Sequence, residues 1–235
     1  MAARRIVLAT RNAGKVPELQ RILSEVLPGG VEVVTLADVA PDAPDVVEDG
    51  TSFEANSLLK ARAACELTGL PAIADDSGLC VDVLGGAPGI FSARWSGGLV
   101  DSTGQGPGAA KDADNNALLL AQLSDVPDEA RGAHFACVMS YVDPQGSELT
   151  ARGEMHGSIL RAPQGENGFG YDPVFAVASQ ELAEARFIPV QGPVSSAELP
   201  AEVKSAISHR GRATRELARL LAERAWGVRR CGPVT

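Results

Sequence analysis

Apolar runs of strand length alternate with stretches of helical periodicity along these 235 residues, which predicts an α/β protein. Three observations carry that prediction. The apolar run from Arg4 to Thr10 passes through a polar, glycine-containing turn into a helix that puts Leu19, Ile22, Leu23, Val26 and Leu27 on one face. Ser52 to Thr68 has helical periodicity, and the short run Ala72-Ile73-Ala74 after it reads as a buried strand. Ala133 to Val142 and Glu148 to Met155 then read as paired antiparallel strands around the turn Asp143-Pro144-Gln145-Gly146.

With 45% hydrophobic residues the chain can fill the core of one large domain or of two lobes, and no second independent domain is required. Aromatic residues are only 4%, so that core must be built of Ala, Val, Leu and Ile. A net charge of -9 and a pI near 4.9 argue against binding nucleic acid polymers or anionic membranes, while small phosphorylated ligands need only a local basic patch. Cys65, Cys80, Cys137 and Cys231 form no zinc-type spacing and read as reduced thiols, three of them in the core. The first strand begins almost at the N-terminus, and its apolar stretch is too short for a signal peptide or membrane span, so a cytoplasmic protein is expected.

Taken in order, the first turn is Arg11-Asn12-Ala13-Gly14-Lys15. Free backbone N–H groups, a helix N-terminus and a lysine there suit phosphate, though an ordinary strand-to-helix connection reads the same way. The glycine spacing is not that of a Walker A loop. Val31 to Leu36 alternates as a second strand, and Ala37 to Thr51 is a Pro- and Asp-rich loop in which Glu48 and Asp49 lie nearest the next helix. That helix, capped by Thr51 or Ser52, is expected to turn Phe53, Leu58, Leu59 and Ala63 inward and Lys60 and Arg62 outward.

Asp75 and Asp76 follow the short strand, Ser77-Gly78 is expected to stop it, and Leu79 to Leu84 reads as a further strand. Adjacent carboxylates are stable as a dianion mainly when a cation or several donors share them, so the pair suits a hard divalent metal. A tight turn rich in Asp and Ser explains it equally well. Gly85 to Gly89 is a glycine and proline loop, Gly97 to Ala110 a mobile surface loop, and Asp112 to Ser124 a helix. His134 and His156 lack a partner at metal spacing and read as structural or surface residues. In Asn167 to Phe175 (NGFGYDPVF) glycines flank Phe169; its ring either faces a flat ligand or plugs the core. Lys204 to Arg212 opens a helix capped by Ser208, where Lys204, His209 and Arg210 bring cations to a helix start that disfavours them unless an anion is present. Arg215, Arg219 and Arg224 read as a solvated face, and no structure is expected beyond Trp226.

Six segments in one order, TRNAGK (10–15), EDGTSFEAN (48–56), ADDSG (74–78), GGAPGIFSAR (85–94), FGYDP (169–173) and KSAISHRG (204–211), resemble the inosine/xanthosine triphosphate pyrophosphatases over residues 4 to 225. The resemblance implies a long central mixed β-sheet with flanking helices, two lobes around an active-site cleft, and a homodimer. It implies Mg²⁺-dependent hydrolysis of ITP, dITP and XTP to the nucleoside monophosphate and pyrophosphate. By the same resemblance, Thr10, Arg11, Asn12, Ala13, Gly14 and Lys15 form the triphosphate loop, with Lys15 also catalytic. Asp76 is the catalytic base and a metal ligand with Glu48, and Ser77 lies beside the substrate. Phe169, Gly170, Tyr171, Asp172, Lys204, His209 and Arg210 bind the base and nucleotide. Asp49 and Asp75 are alternative metal-side carboxylates.

Three places depart from the family pattern: Arg11 where a small residue is usual, Glu166-Asn167 before the FGYD segment, and the long 97–110 loop. A pyrophosphatase for other modified nucleotides and a non-catalytic nucleotide-binding protein are the alternative readings. A haloacid-dehalogenase-type phosphatase lacks its Asp-x-Asp spacing here.

Overall fold

A computed structural model describes residues 4–10, 16–27, 30–97, 112–189 and 192–224. Residues 11–15, most of the 97–110 loop, Cys231 and the segment beyond Trp226 lie outside the described residues. Strands β1 (Arg4–Leu8), β2 (Val31–Thr35), β3 (Ala72–Val81), β4 (Gly132–Val142), β5 (Glu148–Ile159) and β6 (Phe175–Val177) form one sheet in the order β2-β1-β3-β4-β5-β6. The sheet is mixed: β1 runs parallel to β2 and β3, whereas β6 is antiparallel to β5. The helices are α1 (Val16–Val26), α2 (Leu36–Val39), α3 (Phe53–Thr68), α4 (Asp112–Gln122), α5 (Ser179–Glu184), α6 (Ala201–Ile207) and α7 (His209–Arg224). None of the described helices is long and apolar enough to cross a membrane.

The chain divides into two compact units, the first comprising residues 1–76, 137–153 and 212–235 and the second residues 77–136 and 154–211. In the first, Leu19, Ile22, Leu23 and Leu27 of the α1 segment are buried with Ile6, Leu8 and Ile73 and with Ala213, Leu217 and Leu221 of α7. Each of the leucine and isoleucine side chains contributes on the order of 1.5–3 kcal/mol on burial. Val26, expected on that face, is 39% exposed because the buried stripe turns away from it at the helix end. Gln20 of α1 donates to Val31 O at 2.6 Å and accepts from Val33 N at 2.7 Å, so it covers the outer edge of β2. In the second unit, Leu79, Leu119, Phe135, Met155, Tyr171 and Phe175 share a core. Cys65, Cys80 and Cys137 are buried, as read from the sequence.

Four expectations are corrected. Ser77-Gly78 does not end a strand: β3 runs unbroken from Ala72 to Val81, so Asp75 and Asp76 stand inside a strand. Glycine is needed at 78 for close approach, because a Cβ there would lie 2.3 Å from Gly89 O and 2.4 Å from Ser92 Oγ. Residues 82–84, read as strand, form a 3₁₀ turn closed by left-handed Gly85. The 37–51 loop opens with α2, where Thr35 and Asp38 form a capping box. The C-terminal helix is two helices, broken at Ser208, whose extended backbone ends α6 and whose hydroxyl accepts from Gly211 N at 3.0 Å to start α7.

Candidate active site

In the first unit, Ser52 caps α3 by accepting from Ala55 N, and the buried stripe of the helix runs through Phe53, Asn56, Ser57, Ala61, Ala64 and Cys65. Leu58, Leu59 and Ala63, expected inward, are only half-buried. The stripe is polar at its N-terminal end for a reason visible in its contacts. Ser57 Oγ donates to Ala74 O of β3 at 3.0 Å, and Asn56 accepts from Gly50 N at 2.9 Å while donating to Asp76 Oδ2 at 3.2 Å. Asn56 therefore ties the acidic loop to the strand that carries Asp76. One turn on, Lys60 places Nζ 2.9 Å from Glu48 Oε1 and 3.3 Å from Asp76 Oδ1.

Burial pushes the Asp76 carboxyl above the ordinary carboxylate range; the Lys60 charge opposes this, and Glu48 adds to it. For Lys60 burial acts downward, but Asp76 and Glu48 outweigh it and hold the ammonium above its usual value. Two carboxylates thus converge on a point built for positive charge. Among the described residues no group of three or more His, Cys, Asp or Glu is arranged to hold a metal by protein ligands alone. Glu48 and Asp76 nevertheless fit Mg²⁺, which characteristically takes one or two carboxylates and fills its shell with water and phosphate oxygens. Successive side chains of a strand leave opposite faces, so Asp75, 7% exposed, leaves β3 on the other face from Asp76, while its charge still adds to those that hold the Lys60 ammonium. A cavity of about 960 Å³ in this unit is lined by Thr10, Glu48 and Lys60, with Leu36, Pro44 and Leu67 among its apolar walls.

The second unit gathers most of the other residues read from the sequence. Gly168 and Gly170 adopt positive φ, and a Cβ on Gly168 would meet Asp172 Oδ2 at 2.2 Å. The turn they make presents Phe169, 66% exposed, so its ring does not plug the core. Asp172 is buried, accepts from Phe169 N at 2.8 Å and pairs with Lys204 Nζ at 2.5 Å. Lys204 Nζ also lies 5.7 Å from the Phe169 ring centroid. Tyr171 is buried and donates to Ser92 O at 2.8 Å; burial raises its phenol far above the usual range, so it stays neutral as a strut for the turn. Arg210 reaches Ser77 Oγ at 3.4 Å, and the His209 ring stacks on Phe135 with centroids 5.0 Å apart. His134 and His156 sit 5.6 Å apart beside Glu154.

Lys60 reads as outward from the sequence, and Asn56 only as a residue that serves the helix dipole or a ligand, yet both contact Asp76. Their signal was phase: counted from Phe53, positions 56, 57, 60, 61, 64 and 65 are one stripe, and a lysine and an asparagine on a stripe that otherwise meets a strand require partners. Lys204 was read as a cation at a helix start. It lies in the last turn of α6, where the helix dipole favours a cation, and Asp172 pairs it.

A sequence profile described as the Ham1 family matches residues 6–220. The chain is 51% identical over 219 residues to a dITP/XTP pyrophosphatase of Streptomyces avermitilis, a match covering 93% of this chain and 98% of that one. Among solved structures, a HAM1 protein from Coxiella burnetii superposes with a TM-score of 0.77 at 36% identity, covering 94% of this chain and 99% of the other. A structure described as a nucleoside-triphosphatase, or dITP/XTP pyrophosphatase, from Mycobacterium abscessus gives a TM-score of 0.69 at 47% identity, covering 92% and 98%.

Proposed function

Since the chain belongs to the Ham1 family, we propose that it hydrolyses the deaminated purine nucleoside triphosphates dITP, ITP and XTP at the α–β bond, yielding the nucleoside monophosphate and pyrophosphate. The observation that carries this reading is the convergence of Glu48, Asn56 and Lys60 on Asp76. Hydrolysis at the α phosphorus needs a base for the attacking water and positive charge for the phosphates. Asp76 takes the water's proton; in the metal-free protein its burial holds the carboxyl above the ordinary carboxylate range. Asn56 fixes the orientation of that carboxylate, and Lys60 keeps a full positive charge beside it at neutral pH. Glu48 and Asp76 would hold Mg²⁺, which when bound makes a coordinated water more acidic and offsets phosphate charge. Thr10 and residues 11–15, with Lys15, are assigned to the phosphates.

The second cluster is assigned to the nucleoside. Phe169 offers a flat apolar face to the base. Hypoxanthine and xanthine carry a 6-oxo acceptor where adenine carries an amino donor. Lys204 and Arg210 supply donors for that oxygen, and against adenine a donor would be left unmet. Ser77, Gly170, Asp172 and His209 complete this side, with Tyr171 supporting it. We assign the enzyme to the cytoplasm as a homodimer, which light scattering would test.

The experiment is product analysis with ITP, dITP, XTP, GTP and dUTP in MgCl₂. Pyrophosphate released from the first three, with dUTP poorly used, is the expected result, and GTP, which shares the 6-oxo group, reports on the 2-amino side of the base. Orthophosphate release, or binding without turnover, would overturn the reading.

A further inference from the structure

Gly170, the residue after the exposed Phe169, is gripped on both of its backbone polar groups by one helix. Asp112 Oδ2 accepts from Gly170 N at 2.6 Å, and Asn116 Nδ2 donates to Gly170 O at 3.0 Å. The two side chains are four residues apart at the start of α4, so they stand one above the other on a single face. The neighbouring Asn115 belongs to a different contact: it accepts from Ser96 N at 2.8 Å and holds the 92–96 segment.

We propose that Asp112 and Asn116 are positioning residues for base recognition, clamping the Gly168–Tyr171 turn so that the Phe169 ring is held out in one place. This rests on the assignment of Phe169 to the base. A ring 66% exposed has little packing of its own to fix it, so its position must come from the backbone beneath it. That backbone is tied at Phe169 N by Asp172 and at both polar groups of Gly170 by α4, while Tyr171 anchors the far side through Ser92 O. Gly170 needs this help. Its φ of 61° is a conformation glycine adopts readily but also leaves readily, since it has no side chain to bias it.

Stability alone does not account for Asn116. Its Oδ1 is buried and has no hydrogen-bond partner among the described residues. Turning the amide over would set that oxygen against Gly170 O, so the Gly170 contact dictates the orientation. A buried acceptor left unmet costs at least as much as one ordinary hydrogen bond returns. Gly170 is only half-buried, so water can take over its carbonyl if Asn116 is removed. The residue is therefore spent on placing the turn rather than on holding the fold together.

The test is steady-state kinetics with ITP alongside thermal unfolding. Asn116→Ala and Asp112→Ala should each raise KM about fivefold, the scale of one lost hydrogen bond, with kcat within twofold of wild type. Asp112→Asn, which retains an acceptor, should restore KM. Tm of Asn116→Ala should equal or exceed that of wild type, which a purely structural role would not allow. Amide exchange at Gly170 should quicken in Asp112→Ala. An unmoved KM in both alanine variants, or a fall in Tm that accounts for the whole loss, would overturn the clamp while leaving the proposed function standing. Failure of the wild type to release pyrophosphate from ITP would instead overturn the function, and the clamp's part in it.

Discussion

Lys60→Met separates the electrostatic account of the Asp76 cluster from a merely steric one. Removing the ammonium leaves the Glu48 and Asp76 carboxylates facing each other without their shared cation. Breaking a fully buried pair in this way costs roughly 3–5 kcal/mol, whereas an exposed pair is worth about 0–1 kcal/mol. The side chains are 17% exposed at Lys60, 12% at Asp76 and 31% at Glu48. Discounted for that partial solvation, the loss is about 1.5–3 kcal/mol. For a chain of this size it lowers Tm by roughly 3–12 °C. Because the folded protein holds the Lys60 ammonium above its ordinary value of 10.5, its contribution is complete below that pH and disappears as pH rises through the raised value. The gap in Tm between wild type and variant should thus be constant across neutral pH and close only in strong alkali. Millimolar MgCl₂ should recover part of the loss by supplying a cation to the same carboxylates. In pH–rate profiles the acid limb of kcat/KM should move to higher pH in Lys60→Met, since the charge opposing protonation of Asp76 is gone. A Tm within 1 °C of wild type in Lys60→Met, with its acid limb unmoved, would refute the reasoning.

Asp76→Asn should retain fold and nucleotide binding but lose roughly 100-fold or more in kcat, the range of a general base; near-normal turnover would remove Asp76 from that role. Phe169→Ala should raise KM for ITP by more than it lowers kcat, and an unchanged KM would count against stacking. Gly78→Ala should cost about 1–3 kcal/mol in denaturant unfolding, because its Cβ meets a backbone oxygen that cannot yield. Stability equal to wild type would mean that β3 and the Gly89 segment separate more easily than their packing indicates.

Much of the molecule was legible as pattern. The α1 stripe, the β4–β5 pair with its Asp143 turn and the three buried cysteines all follow from local spacing, since a period of 3.6 or 2 decides which face is buried before any partner is named. Asp76, Glu48, Phe169, Asp172 and Lys204 were picked out as candidates by charge beside apolar runs, a ring between glycines and the six-segment resemblance, and the fold brings Glu48 and Asp76 to Lys60 and Asp172 to Lys204. The sequence alone also raised, beside a tight turn, the reading that positive charge meets acid near Asp75 and Asp76.

Tertiary structure decided which residue supplies that charge. Lys60 was read outward because lysine usually is; it points in because α3 lies along a strand whose Asp76 needs a cation, a fact held in no local window. Structure also decided that Gly78 marks a close approach rather than a turn, and that the helix break falls at Ser208, leaving Lys204 at a helix end that favours it. Spacing along the chain states which faces need a partner. Only the packed fold, by paying for each burial with a particular contact, states which partner each one has.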